Sequence, residues 1–191
     1  PQPGDQLNRL CFSDGLLGYL GYPEQARAKM VQALNLAQTI EHPITLASAL
    51  HCAAEVYRQR GEAQASLECA ERELELSGEQ GFPLWFALAQ IYRGWALARL
   101  GHHGEALATI PKGIADYRAT GAEMAVPIFL GLLAEAYHQA GKTDEGLHVL
   151  EEAITIVQRV DDRSSGTADL YRLRGDLLPL PNVAASCTTS L

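Results

Sequence analysis

Gly21, Gly61, Gly101 and Gly141 follow one another at intervals of 40 residues. A fixed period of this size marks a chain of stacked copies of one supersecondary unit, each too small to bury its own apolar face, and argues against one undivided core. Other positions keep the same beat. Leu34, Leu74, Ile114 and Ile154 are apolar, Ala54, Gly94 and Ala134 are small, and Glu41, Gly81, Gly121 and Asp161 mark a second break about halfway between the glycines. Each unit therefore has two segments and two turns.

The segments carry helical spacing. In the third unit Leu84, Leu88, Ile91, Trp95 and Leu97 recur between Pro83 and Leu100, Gly101-His102-His103-Gly104 interrupts them, and Ala106, Leu107, Ile110, Ile114 and Tyr117 resume the pattern until Gly121. The same parsing places helix pairs near 5–20 with 23–41, 43–60 with 62–80, 82–100 with 104–120, and 124–140 with 143–160. A ninth helix follows near 165–178. The expected repeat domain spans 1–178, in units of about 5–41, 43–80, 82–120 and 124–160 plus a half-repeat at 165–178 that covers the apolar flank of the fourth pair. Pro23, Pro43 and Pro83 fall in first turns, where a missing N–H costs least. Pro111 falls inside a second helix and is expected to kink it. Residues 179–191 are small, polar and aperiodic, as a disordered tail would be.

Composition narrows the function. A net charge of −8 is the wrong sign for a nucleic-acid footprint. The acid is densest between Glu62 and Glu79, where six Glu face the single base Arg72, and this reads as a solvated helix face. No apolar run approaches the length of a membrane span. Cys11, Cys52, Cys69 and Cys187 form no CxxC pair, which fits a reducing, cytoplasmic setting. The histidines lack zinc-site spacing, and no nucleophile stands with a base and an orienting group, so neither metal, cofactor nor catalysis is expected. The stretch Ala136 to Thr143 ends in Gly141-Lys142-Thr143, like a loose phosphate loop. A helical segment precedes it and further glycine is missing, so it reads as a repeat turn.

The units match the signature of the tetratricopeptide repeat (TPR), with large-x2-Leu-Gly-x2-Tyr in the first helix and Ala-x3-Phe in the second. The second unit has Leu50-x2-Ala53-Ala54-x2-Tyr57 and Ser66-x3-Ala70; the third has Gln90-x2-Arg93-Gly94-x2-Leu97 and Ala106-x3-Ile110. The fourth has Leu130-x2-Leu133-Ala134-x2-Tyr137 and Gly146-x3-Leu150; the first keeps Ala26-x3-Met30 but has Asp14 in the small slot. The period exceeds the usual 34, and the excess lies between Ala70 and Gly94, a span of 24 residues, rather than between Gly94 and Ile110. Longer helices are the expected result. Arg93 and Arg174 occupy the slot of a buried Leu, and their stems are expected to pack while the heads reach solvent.

Leu20-Gly21-Tyr22-Pro23-Glu24-Gln25-Ala26, Arg93-Gly94-Trp95-Ala96-Leu97 and Leu170-Tyr171-Arg172-Leu173-Arg174-Gly175 further resemble the C-terminal arrays of large bacterial signalling ATPases. Those proteins place a cyclase or winged-helix domain first, then an AAA- or STAND-type nucleotide-binding domain, then the array. The resemblance covers about residues 16–178. It implies an all-α, right-handed superhelical solenoid without catalysis of its own. Such an array would be a sensor or regulatory arm that holds a peptide or partner domain in a concave groove, with no nucleic acid or membrane involved. The alternative it leaves open is a small-molecule sensor, for example of a sugar.

Alignment of Ala54, Gly94 and Ala134 with the small slot of the repeat puts Ser48, His51, Glu55, Arg58 and Gln59 on that concave face. The same step adds Leu88, Ile91, Trp95, Ala98 and Arg99 from the third unit, and Ile128, Gly131, Glu135, His138 and Gln139 from the fourth. Trp95 is expected either to be the anchor, because a large rigid ring in a concavity can dominate binding energy, or to pack against the neighbouring unit, since aromatic residues serve core and interface alike. Glu55, Arg99 and Glu135 would orient the partner by charge.

Overall fold

The computed structural model describes residue 17 and residues 20–40, 42–159 and 165–178. Most of the helix expected near 5–20, all but the helical Leu17 and the turn residue Leu20, and the tail at 179–191 lie outside the described residues. Eight helices and no strand are found among the described residues: α1 (Pro23–Ile40), α2 (Pro43–Gln59), α3 (Ala63–Gln80), α4 (Pro83–Arg99), α5 (His103–Ala119), α6 (Val126–Gln139), α7 (Thr143–Arg159) and α8 (Ser165–Leu177). Pro43 and Pro83 open their helices as expected. α6 starts two residues later than its pattern suggested, behind a turn at Met124 and Ala125, with Pro127 in its first turn. α5 is continuous through Pro111, which is exposed.

The four periodic glycines have one physical cause. The amide of Tyr22 donates to the carbonyl of Leu17, Glu62 to Tyr57, His102 to Leu97 and Lys142 to Tyr137, at 2.9, 2.9, 2.8 and 2.9 Å. This bond folds the chain back over the last helical turn and needs a left-handed residue just before the donor. Gly21, Gly61, Gly101 and Gly141 supply it, with φ of 84, 74, 89 and 73°.

Consecutive helices pack antiparallel along the chain, and the first helices α2, α4, α6 and α8 also touch one another in that order. The second helices make no comparable contacts with one another among the described residues. A stack whose first helices crowd together while its second helices spread must curve, with the first helices inside. In the second, third and fourth units the two helices of the pair come close at the small slot. A Cβ on Gly94 would lie 2.4 Å from Ile110 Cγ1, and one on Gly146 would lie 2.9 Å from the Ala134 carbonyl oxygen. In the second unit the Ser66 hydroxyl donates to the Ala54 carbonyl at 2.9 Å. Each of these positions is buried.

The Arg93 head does leave the core, but it is paired: its guanidinium lies 2.7 Å from Glu105 and 3.5 Å from Glu71. Arg174 likewise meets Glu151 at 2.6 Å. These are partly exposed ion pairs on top of snorkelling stems, and contribute little on their own.

Candidate functional site

The inner face of the stack is tied together by carboxylates at one repeat slot. Glu55 on α2 accepts from Arg58 Nε and Nη2 at 2.8 and 2.9 Å, from Gln59 Nε2 at 2.8 Å, and from the Tyr92 hydroxyl on α4. Burial would raise this carboxyl, but the Arg58 charge and the converging hydrogen bonds outweigh it and hold the group at about 2. Eighty residues on, Glu135 on α6 accepts from Trp95 Nε1 on α4 at 3.1 Å and from Gln139 Nε2 at 3.1 Å, with Arg99 Nη1 3.5 Å away. Glu55 thus links α2 to α4, and Glu135 links α4 to α6.

Two adjoining depressions lie on this face. One, of about 330 Å³, sits between α6 and α8, with Ile128, Leu132, Leu170, Leu173 and Leu177 as its apolar lining and Glu135, His138 and Gln139 at its polar side. The other, of about 560 Å³, is polar and is walled by Arg58, Gln59, Trp95, Arg99, Glu135, Asp169 and Arg172. The carbonyl oxygens Oε1 of Gln59, beside the polar depression, and of Gln139, beside the apolar one, are buried without a hydrogen-bond partner. Their orientation is fixed, since each amide nitrogen donates to its glutamate.

Arg58, Gln59, Arg99, Ile128, Glu135, His138 and Gln139 therefore share one concavity, with Glu55 bonded beneath Arg58. Gly131 also lines it, but under α8, where a Cβ would meet Leu170 Cδ2 at 2.7 Å. The other expected groove residues are placed differently. Trp95 is only 3% exposed and its N–H is committed to Glu135, so it packs into the wall of the polar depression. Leu88, Ile91 and Ala98 are buried, and Ile91 Cγ1 lies 2.7 Å from where a Gly113 Cβ would be, facing α5. The reason is geometric: α2 and α6 flank α4 and cover both its sides, leaving a strip far narrower than a free helix face. Ser48 is half-buried away from the depressions. His51 packs edge-on against Trp85 and Tyr92, with ring centroids 5.7 and 5.1 Å apart, and does not line the groove.

Two features escaped the sequence reading. Asp169, Arg172 and Asp176 on α8 stand one period after Phe129, Leu132 and Ala136, which are buried on α6. On α8 those slots carry charge and are 48, 65 and 59% exposed in their side chains, forming a wall of the groove. The period itself could have located them. Glu73 is a correction to the solvated acidic face: its side chain is 0% exposed while Glu68, Glu71, Glu75 and Glu79 are exposed. The same slot holds Ala33, Gly113 and Ala153 in the other units, so the anomaly was visible in the period as well.

Among the described residues no group of three His, Cys, Asp or Glu is placed to hold a metal ion. The Gly141 and Lys142 amides, which a phosphate loop would turn toward phosphate, donate instead to the carbonyls of His138 and Tyr137. Burial pushes the Cys69 thiol up to about 11, which leaves it protonated and inert. No helix among the described residues is long and apolar enough to cross a membrane.

No protein-family model matches the chain, and no curated protein matches it. Solved structures do. The nearly identical TPR-like repeats of a kinesin-light-chain-type protein from Podosopora anserina superpose with a TM-score of 0.62 at 19% identity, over 92% of this chain and 90% of that one. Aspartyl phosphate phosphatase F from Bacillus subtilis matches with a TM-score of 0.65 at 12% identity, over 93% of this chain and 46% of that one. A signal transduction ATPase with numerous domains (STAND) that carries a TPR sensor, from Pyrococcus horikoshii, matches with a TM-score of 0.60 at 15% identity, over 93% of this chain and 26% of that one. At such identities the likeness establishes the fold alone: the chain is a TPR-like helical solenoid.

Proposed function

We propose that this solenoid is a non-catalytic interaction module which holds a peptide or partner domain in the groove of its first helices, as the sensor or regulatory arm of a larger signalling ATPase. One observation carries the reading. The groove is assembled before any partner arrives: Glu55 and Glu135 are locked by their neighbours, an apolar well lies between α6 and α8, and the buried Gln59 and Gln139 oxygens lack donors. A preformed site of this kind loses little ordering entropy on binding, and its apolar well and charged rim suit the mixed apolar and polar side chains of a polypeptide. The kinship to a STAND protein with a TPR sensor supports the signalling setting by fold analogy.

A sugar sensor is less well supported. Sugars are commonly held against open aromatic faces, whereas Trp95 is buried and Trp85 packs against His51. The test is selection of displayed peptides on the 191-residue chain, with counter-screening on Arg99→Glu and Leu173→Asp. Enriched peptides should lose binding to both variants. Peptides that bind the variants as well as the parent would place recognition elsewhere and refute the groove reading.

A further inference from the structure

The second unit differs from its siblings at one place in its core. Glu73 on α3 fills a slot that is Ala33, Gly113 or Ala153 in the other units, and both of its carboxyl oxygens are buried without a hydrogen bond. Facing it across the pair is His51 on α2, whose Nδ1, also without a hydrogen bond, lies 3.6 Å from Glu73 Oε1. The slot of His51 is Ile91 or Gly131 in the next two units. One turn along α3 the Ser77 hydroxyl is a third buried group lacking a partner. Glu73 and His51 thus replace small or aliphatic residues of the other units, and Ser77 adds a third unpartnered polar group within the same helix pair. Buried polar groups without partners destabilise a fold, so three together in one place call for a role.

The surroundings restrict what that role can be. α2 contributes His51 and, one turn on, Glu55 with Arg58. α3 itself contributes Cys69, which interacts electrostatically with Glu73, and the exposed Arg72. α4 contributes Tyr92, bonded to Glu55, and Trp85 against the His51 ring. On the other flank of α2, α1 packs Ala33, Ala37, Leu34 and Leu36, and its charged Glu24 pairs with Arg60 beyond the far end of α2. No permanent positive charge contacts Glu73, because Arg58 is held by Glu55. A carboxylate there has only a proton with which to neutralise itself.

We propose that Glu73 and His51 share a single proton in the core of the second unit, and that losing it loosens α2 from α3 and, through Glu55 and Tyr92, slackens the groove. The link to the groove rests on the function proposed above; the titration itself does not. The chemistry sets the direction. Burial raises Glu73 well above its ordinary 4.5, so over that interval the folded chain holds one proton more than the unfolded chain and stability falls as pH rises. Burial lowers His51 from 6.5 to about 4, with Glu55 opposing, so there the unfolded chain holds the extra proton and stability is lost as pH falls. Between 4.5 and 6.5 the two dependences offset each other. Above 6.5 that of Glu73 stands alone.

The experiment is urea unfolding of the full 191-residue chain from pH 5 to 9, in the parent, Glu73→Gln and Glu73→Ala. The parent should be level up to about 6.5 and then lose up to about tenfold in folding constant per pH unit until Glu73 ionises. Both variants should gain stability up to about 6.5 and stay level beyond it. Glu73→Ala restores the small residue found at Ala33 and Ala153, so it remains informative should Glu73→Gln fail to fold. The His51 ring resonances should show an alkaline step in the parent that both variants lack. Parallel stability profiles, or a step that persists without Glu73, would overturn the shared proton. Hydrogen-exchange protection at residues 55–59, corrected for the intrinsic base catalysis of exchange, that does not fall above pH 6.5 in the parent would overturn the coupling to the groove. Failure to select any groove peptide would bear only on the proposed function.

Discussion

Replacing Gly94 with alanine sets two effects of opposite sign against each other. Gly94 lies in the interior of α4, where alanine is favoured over glycine by about 1 kcal/mol. The new Cβ would stand 2.4 Å from Ile110 Cγ1 and 3.3 Å from the Ile110 amide nitrogen, against about 3.5–4.0 Å for a comfortable carbon contact. Ile110 is 0% exposed and cannot swing aside into solvent. Overpacking of this kind costs about 1–3 kcal/mol, so the net change is a loss of between about 0 and 2 kcal/mol. The cleaner quantity is the coupling with Ile110→Ala. Alone that substitution costs about 2–5 kcal/mol through the cavity it leaves. It also removes the atom Gly94→Ala strikes, so in its background the alanine should stabilise by about 1 kcal/mol or more. Urea midpoints of the four proteins give the cycle. A Gly94→Ala protein stabilised by the full propensity difference, with no coupling to Ile110→Ala, would refute the close approach of α4 and α5.

Glu135→Ala should cost about 1–3 kcal/mol by stranding the buried Trp95 N–H, with a shift in tryptophan emission; Glu135→Gln, which can still accept that bond, should lose less in the same melts. Arg99→Ala should leave stability within about 0.5 kcal/mol, because its pair is half-exposed, yet it should weaken any peptide selected on the groove by fluorescence titration. Pro111→Ala restores a backbone donor in the middle of α5 and should raise the urea midpoint, by up to about 3 kcal/mol in stability. Titration with ATP and Mg²⁺ should give no heat, and Lys142→Ala should be silent, since the amides of that turn are already bonded.

The architecture was legible because one steric requirement, a left-handed residue at each turn, left the same letter every 40 residues. Helix pairs, the close contacts at Gly94 and Ala134 and the concave side all followed from phase. The groove was legible only in part. Consensus counting treats a helix face as open, but α4 is flanked on both sides, so Leu88, Ile91 and Trp95 vanish into the wall. Exposure there depends on neighbours 40 residues away, which local spacing does not weigh. Glu73 was missed for a related reason: among so many glutamates its letter looked ordinary, and only comparison with Ala33, Gly113 and Ala153 exposes it.

The contacts at Gly94 and Gly146 also bear on how a self-similar chain avoids pairing the wrong halves. In the third unit the missing side chain is on the first helix, opposite Ile110; in the fourth it is on the second helix, opposite the Ala134 carbonyl. Were α6 to dock on α5, the Ala134 methyl would fall where Gly94 makes room for Ile110, and collide. An α6 brought into the place of α4 is therefore penalised at this contact, which disfavours one of the mismatched hairpins that are a characteristic failure of repeat proteins.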